Sequence, residues 1–557
     1  MLLVYGARST TYDFGPSHPL TPRRFGPAID LLEAVGAQPG LAPEPAPDAE
    51  LVACHSDGFV RVVRGFSVDP FGLPEAGISE YGDVPPFPGM HEAGAMVAGG
   101  SLRAMEAILR GDVEHAFHPG GGLHHAMRDR ASGFCIYNDV ALAIARARRD
   151  GLRVLYLDFD VHHGDGVQDL FYDDPGVLTF SIHESGRYLF PGTGFADEIG
   201  EGKAAGSAVN VPLQPGTGER AWLEAVRSLV PALAAAFRPD VVVSQHGADS
   251  HAFDPLAHLR VTTTAMGEAA RIVDAVAHRW AGGRWLATGG GGYDAYRVVP
   301  RSWSLVWLAG AHRDVPASTP VSWRERWAGE AARYGQAPLP ETFEDPPNAG
   351  APFDAAQAGA EERSRETARA VEAALLPALL REAVRRDWWD PLTVPDPPYA
   401  ALPAGGPTVH ARLDADFSIA AGVASLPLTS LRTRPGDRMS VTAAVVQDVV
   451  VGAVVSAASA TGRGRDILSL GVAPEHRGDG LAAAMLKAHV GSFRPGDEPL
   501  SATITVAERD WVDPLEPSVR VSIARRLFET AGFTVRPAQG SVRAIDPLAL
   551  AAVTGQG

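Results

Sequence analysis

Along the first two thirds of the chain, short apolar runs rich in Val and Leu alternate with longer stretches of helical period. Ser101–Arg110, Val140–Arg149 and Trp222–Phe237 read as helices. The apolar runs are Ala116–Phe117, Arg153–Leu157, Val177–Ile182, Val241–Val243 and Trp285–Thr288. Such alternation predicts an α/β unit, a parallel sheet with helices on both faces.

The residues just after each run carry more information than the run itself. Ala116–Phe117 leads into His118-Pro119-Gly120-Gly121-Gly122-Leu123-His124-His125, and Arg153–Leu157 into Asp158-Phe159-Asp160-Val161-His162-His163-Gly164-Asp165. Val177–Ile182 leads into His183 and Glu184, Val241–Val243 into Ser244-Gln245-His246-Gly247-Ala248-Asp249, and Trp285–Thr288 into four glycines and Tyr293. The carboxyl ends of the strands of an open parallel sheet form one edge, where ligands bind. These loops therefore gather His, Asp and Tyr that are distant in sequence.

The pattern changes beyond residue 330. Proline-rich stretches run from Gln336 to Pro352 and from Pro391 to Pro407, and between them Ala355 to Trp389 reads as a helix interrupted at Pro377. A first unit of residues 1–395, including a helical extension and linker at 330–407, is expected before a smaller unit at 408–557. In that second unit Met439–Ser456 reads as two strands around Gln447-Asp448, Asp466–Val472 as another strand, and Leu481–Val490 as a helix.

Composition narrows the function. With 557 residues, 45% apolar and 21% charged, the chain has material for more than one ordinary core. A net charge of −17 disfavours nucleic acid and anionic membranes as general partners and suits a cationic substrate. Two cysteines, Cys54 and Cys135, supply neither a disulfide framework nor a thiolate zinc cluster. No basic leader precedes a long apolar stretch and no window has the roughly 20 apolar residues of a membrane span, so a cytoplasmic protein is expected.

Asp160 and His162 stand two apart after a strand, so both side chains can point to one side of an extended segment. Asp249 completes a set of one nitrogen and two oxygen ligands, with a position left open, as in catalytic zinc sites. Iron(II) or cobalt would accept the same donors. An isolated Asp-x-His is more often a cap or a surface pair; its place at a strand end beside further acids reverses that reading. A hydrolytic metal site also needs a proton acceptor and donor. His124 and His125 follow a glycine-rich loop, and Asp158 and Asp165 could each orient one imidazole. The Tyr293 hydroxyl could donate to an oxyanion.

The segments HPGGGLHHA (118–126), SGFCIYND (132–139), LDFDVHHGDGVQ (157–168), SIH (181–183), FPGTG (190–194), GAD (247–249) and GGGGY (289–293) together resemble the histone deacetylase superfamily. More narrowly they resemble the bacterial acetoin-utilisation deacetylases close to class I. The resemblance implies an arginase/deacetylase-like fold and hydrolysis of N-ε-acetyl-lysine to lysine and acetate. Zinc, with iron(II) as an alternative, would sit on Asp160, His162 and Asp249. His125 would be the main general base and acid, His124 the second imidazole, and Tyr293 the group polarising the carbonyl. Gly133, Phe134, Phe190 and Leu256 would line the slot for the lysine stem, and Asp83 would hold the substrate backbone at the rim. Asp158 and Ser181 fall where the family binds potassium. Two-manganese arginase-like relatives need a D-x-D where this chain has Asp249-Ser250-His251, so one metal is expected. Acetyl-CoA synthetase is the protein substrate that the resemblance suggests, and an acetylpolyamine or other small amide is the alternative.

In the second unit, Arg477, Gly480 and Ala482 meet the R-x-x-G-x-A loop of GNAT-type N-acetyltransferases, and Ala524–Phe533 is similar to that family's last helix and strand. A loop opening a helix presents free N–H groups to phosphate. The resemblance implies a small α+β domain binding acetyl-CoA through Leu470, Val472, Arg477, Gly478, Gly480 and Ala482. Many members carry a tyrosine where this chain has Phe528, so transfer is in question and a purely acetyl-CoA-sensing role is an alternative.

Overall fold

The computed structural model describes residues 1–346, 349, 353–385, 408–413, 440–446, 449–458, 465–472, 480–491, 500–504, 525–537 and 550–553. The chain divides into two compact units. One is formed by Met1–Ala234 and Arg238–Leu375, and the other by Leu376–Gly557 together with the short piece Ala235–Phe237. The division falls inside the helix Ala355–Arg385, which continues through Pro377 instead of breaking there. Ala, Leu, Glu and Arg on both sides favour helix strongly enough to carry the one backbone hydrogen bond that proline removes.

The first unit is built on eight strands: β1 (Leu2–Val4), β2 (Pro39–Leu41), β3 (His115–His118), β4 (Val154–Asp158), β5 (Val177–Glu184), β6 (Ala208–Leu213), β7 (Val241–Gln245) and β8 (Trp285–Thr288). Their order is β2-β1-β3-β8-β7-β4-β5-β6, and every pair is parallel. The five runs legible in the sequence are β3, β4, β5, β7 and β8; the helices Asp139–Arg149 and Glu219–Phe237 enclose the predicted ones, and Met90–Leu109 covers the predicted Ser101–Arg110 up to its C-cap Arg110 while starting 11 residues earlier. Every residue of β4, β5 and β7 is buried, which explains why their sequences run apolar without alternation. Helices Met90–Leu109 and Asp139–Arg149 pack together, as do Thr263–Trp280 and Val299–Gly310. β3 and β7 each touch a helix of both groups, so the sheet is covered on both faces. No helix among the described residues is long and apolar enough to cross a membrane.

Beyond the sheet edge, the Asp249 loop is anchored by a buried ion network. Asp345 accepts from Arg301 NH1 at 2.7 Å, from Thr263 Oγ1 at 2.8 Å and from Thr263 N at 3.0 Å, and meets His251 Nε2 at 2.8 Å. Burial would raise the Asp345 carboxyl. The His251 hydrogen bond and the Arg301 charge outweigh burial and hold it far below the usual carboxylate range.

The second unit has seven strands: β9 (Thr408–Leu413), β10 (Ser440–Val446), β11 (Val449–Ala458), β12 (Arg465–Val472), β13 (Leu500–Ile504), β14 (Thr534–Pro537) and β15 (Leu550–Val553). Their order is β14-β15-β13-β12-β11-β10-β9, antiparallel except for the β12–β13 pair. Leu481, Met485 and Leu486 of the helix Leu481–Gly491 join Phe528 and Phe533 in its core. The two strands expected on either side of Gln447-Asp448, the β12 strand and the helix after it are present, Gln447 and Asp448 themselves lying outside the described residues.

Asp345→Ala would leave Arg301 buried and uncompensated, and should destabilise the protein by about 3–5 kcal/mol in chemical denaturation. Because the folded carboxyl titrates below the unfolded value, the native protein's stability should hold down to about pH 4 and fall as pH drops further. A variant as stable as the parent, with an unchanged acid limb, would show that the network contributes nothing.

Candidate active site

The loops after β4 and β7 bring three donors together. Nδ1 of His162 lies 3.1 Å from Asp160 Oδ1 and 3.2 Å from Asp249 Oδ2, and one ligand atom from each of the three residues falls within 4.8 Å of the others. All three side chains are buried. The remaining carboxylate oxygens are occupied. Asp160 Oδ2 accepts from Gln245 Nε2 at 2.7 Å and from Gly291 N at 2.8 Å, while Asp249 Oδ1 accepts from Val161 N at 2.9 Å. One face of each acid is thus fixed by the protein and the other turned toward His162. Burial opposes charge on that imidazole, yet the two carboxylates overcome it and push His162 up to about 10. Two buried carboxylates and one imidazole nitrogen that hold a positive charge in common are a donor set that fits a zinc-like divalent cation.

The imidazole pair sits alongside. His124 Nδ1 meets Asp158 Oδ2 at 2.7 Å, His125 Nδ1 meets Asp165 Oδ1 at 2.6 Å, and the two Nε2 atoms are 3.0 Å apart. Burial disfavours charge on both rings. At His124 the carboxylates of Asp158, Asp160 and Asp165 prevail and raise it to about 9. At His125 burial and the repulsion of His124 prevail over Asp165, and its pKa is lowered. Neighbouring imidazoles are therefore driven apart, one charged and one neutral, the division of labour expected of a proton donor and acceptor. The sequence positions them locally. Asn138 caps the helix Asp139–Arg149 by accepting from Ala141 N, and its amide donates to the carbonyls of His124 and Ala126. Asp139 accepts from Gly122 N at 3.1 Å, Leu123 N at 2.8 Å and Ser101 Oγ at 2.5 Å, which pins the glycine-rich loop.

Tyr293 is oriented by its backbone, whose N–H donates to Asp254 Oδ2 at 2.9 Å. Burial, then the charges of Asp249 and Asp160, keep its hydroxyl protonated well above the ordinary tyrosine range, so it is a donor. The other oxygen of Asp254 accepts from Leu256 N at 2.9 Å, so the turn that carries Leu256 shares its acid with Tyr293. The Phe134 ring packs edge-on to Tyr293 with centroids 6.0 Å apart. Phe190 packs against His125 at 5.0 Å and His162 at 6.3 Å. Phe134 sits at φ +66, a conformation side chains rarely adopt, and a Cβ on its neighbour Gly133 would collide with the His125 ring. Asp83 Oδ2 accepts from Gly133 N at 2.5 Å. Asp158 and Ser181 are register partners on β4 and β5.

The structure thus gathers Asp160, His162, Asp249, His124, His125, Asp158, Asp165, Tyr293, Gly133, Phe134 and Phe190, while Leu256 is tied only to Asp254 in its own turn. In the second unit Leu470, Val472, Gly480 and Ala482 lie in or beside β12 and the helix Leu481–Gly491, while Arg477 and Gly478 lie outside the described residues. Four contributors escaped the sequence reading. Tyr156 OH donates to Asp158 Oδ2 at 2.6 Å, Gln245 holds Asp160, Asp254 holds Tyr293, and buried Arg24 donates to Gly290 O at 2.6 Å. Tyr156 and Gln245 carried a usable signal, because a polar side chain in a strand buried on both faces needs a partner. Arg24 carried none, its partner being 266 residues away.

Residues 18–309 match the family described as "Histone deacetylase domain". The chain is 42% identical over 353 residues to the acetoin utilization protein AcuC of Bacillus subtilis (strain 168), covering 62% of this chain and 90% of that one. It is 37% identical over 350 residues to AcuC of Staphylococcus xylosus, covering 61% and 90%. A crystal structure of an HDAC homolog from Aquifex aeolicus superposes with a TM-score of 0.57 at 28% identity, over 65% of this chain and 99% of that one. A crystal structure of an HDAC homolog complexed with SAHA gives 0.57 at 29%, over 66% and 99%.

A Cβ at position 291 would run into the Asp249 carboxylate and lie 2.9 Å from Asp160 Oδ2. Gly291→Ala should therefore weaken metal binding about 10–100-fold, measured by competition with a chromophoric chelator, while circular dichroism stays native. Unchanged affinity would mean that these carboxylates do not hold the ion.

Proposed function

The chain belongs to the histone deacetylase family and hydrolyses acetyl amides; we propose that its substrate is N-ε-acetyl-lysine in proteins and its metal zinc, held by Asp160, His162 and Asp249. The observation that supports this most is the convergence of that donor set with two differently charged imidazoles and a protonated tyrosine at one sheet edge. When bound, the metal polarises the acetyl carbonyl and acidifies water. His125, neutral and held through Nδ1 by Asp165, accepts the water's proton at Nε2. Tyr293 donates to the oxyanion as the carbonyl carbon becomes tetrahedral. The imidazole pair then returns a proton to the departing amine, and lysine and acetate leave. Phe134 and Phe190 flank the apolar stem, and Asp83 at the rim takes the substrate backbone. A potassium ion on Asp158 and Ser181 belongs to the same proposal. So does acetyl-CoA synthetase as the acetylated partner, in the cytoplasm.

The net charge of −17 favours cationic substrates of either size, which keeps acetylpolyamines as a second reading.

For the second unit we propose acetyl-CoA binding without efficient transfer. The parallel β12–β13 pairing extends from Arg465–Leu500 to Ile467–Ala502, while β12 continues to Val472, paired among the described residues with β11 alone. Gly480, at φ +73, then opens the helix Leu481–Gly491, a helix start suited to a pyrophosphate. Phe528 is buried against Phe533, with centroids 4.9 Å apart, and supplies no hydroxyl to a departing thiolate.

Purified protein should release a fluorogenic amine from an acetyl-lysine peptide, lose the activity on chelation, and regain it with zinc. Tyr293→Phe should lower kcat about 10²–10³-fold with the fold intact. Preference for acetylspermidine over every acetylated peptide would transfer the assignment to polyamines. Calorimetric titration of the full chain with acetyl-CoA should show one equivalent bound, and an absence of heat together with no competition by CoA would remove the cofactor proposal.

A further inference from the structure

A second group of metal-ligating side chains lies at the other edge of the first sheet, where the parallel strands begin. His115 is the first residue of β3. Asp274 and His278 stand one turn apart on the helix Thr263–Trp280, so both point to the same side. His312 follows the helix Val299–Gly310 at φ +52, a left-handed position that ordinarily favours glycine or asparagine. A histidine there directs its ring into the group.

The four side chains meet through one atom each. His115 Nε2 is 3.0 Å from His278 Nε2, which is 3.1 Å from His312 Nε2. Asp274 Oδ1 is 3.3 Å from His115, 3.6 Å from His278 and 3.1 Å from His312. Hydrogen bonds satisfy such a set only in pairs, since two imidazole nitrogens in contact need one donor and one lone pair. A cation at the centre would accept a lone pair from all four. Zinc–nitrogen bonds of about 2.0–2.1 Å in a tetrahedron place neighbouring ligand atoms about 3.3 Å apart, within the observed spread. The His115 ring is buried and its Nδ1 has no hydrogen-bond partner, so its polar contacts lie within the group. The His278 and His312 side chains are 40% and 53% exposed, which leaves an entry path.

We propose that His115, Asp274, His278 and His312 form a second, structural site for a divalent transition-metal ion of the zinc class. Three imidazoles and one carboxylate suit zinc over magnesium or calcium, and four protein ligands close the sphere, which leaves no position for catalysis. The ion would clip the start of β3 to the helix Thr263–Trp280 and to the turn that follows the helix Val299–Gly310, and so hold the edge of the sheet remote from the acetyl-amide site.

The test is a count of zinc in the untagged full-length protein, stripped and then titrated with zinc alone, with melting temperature followed in parallel. The parent should take up two equivalents. His278→Ala/His312→Ala should take up one, keep its deacetylase activity, and lose part of the zinc-induced rise in melting temperature. Asp160→Asn/Asp249→Asn should also take up one, without activity, and keep the remainder of that rise. A parent that binds a single equivalent, or a His278→Ala/His312→Ala protein that binds as much zinc as the parent, would overturn the second site. Loss of the equivalent from the Asp160 variant alone concerns the catalytic metal, so the two assignments fail separately.

Discussion

Four carboxylates, Asp158, Asp160, Asp165 and Asp249, are buried within one crevice at the carboxyl edge of the first sheet. In a medium of low effective dielectric, each would cost several kcal/mol if left uncompensated. Most of the surrounding structure answers that demand. Asp158 is met by His124 and Tyr156, Asp165 by His125, Asp160 by Gln245 and the Gly291 amide, and Asp249 by the Val161 amide. Arg24, buried beneath the Gly289–Gly292 loop on the face of Trp303, adds a fixed positive charge that Tyr293, Asp249 and Asp160 all feel. The oxygens of Asp160 and Asp249 that no amide holds turn to His162, whose imidazole they drive to carry a positive charge, and a divalent ion would answer the same demand. Catalytic competence and charge balance are here the same requirement.

Backbone amides can serve as donors only if the chain comes very close, and this explains the glycine-rich loops. At Gly291 even a methyl group would displace Asp249. At Gly133 it would strike His125. The glycines in GGGGY and SGF are thus consequences of the carboxylate and the imidazole they approach.

The site was legible because its chemistry sits in loops that follow recognisable apolar strands, and a parallel sheet sends all such loops to one edge. His124, Asp160, Asp249 and Tyr293 could be grouped without coordinates for that reason. The groups that position them were not legible as a set. Asn138 and Asp139 stood inside a recognised segment, but their work on the His124 loop depends on where the helix Asp139–Arg149 begins. Asp254 and Arg24 act on Tyr293 and Gly290 across contacts that no local pattern encodes. The break expected at Pro377 failed for a simpler reason, since a local breaker was weighed without the strong helix formers around it.

β3 shows how one short strand serves both ends of the fold. Its last residue, His118, is buried with Nδ1 on Ser101 Oγ, and the loop after it delivers the catalytic imidazoles. Its first residue, His115, turns the other way into the cluster with Asp274, His278 and His312. Four residues of extended chain, fully buried, link the two groups rigidly. β8 lies beside it in register, His115 opposite Trp285 and His118 opposite Thr288, and continues into the loop that carries Tyr293. The ladder between the two strands therefore sets the relative height at which His124, His125 and Tyr293 emerge, whatever holds their starts. The precision of a site on loops depends on the scaffold beneath it, and here that scaffold is a pair of buried parallel strands whose register needs no help from the far edge.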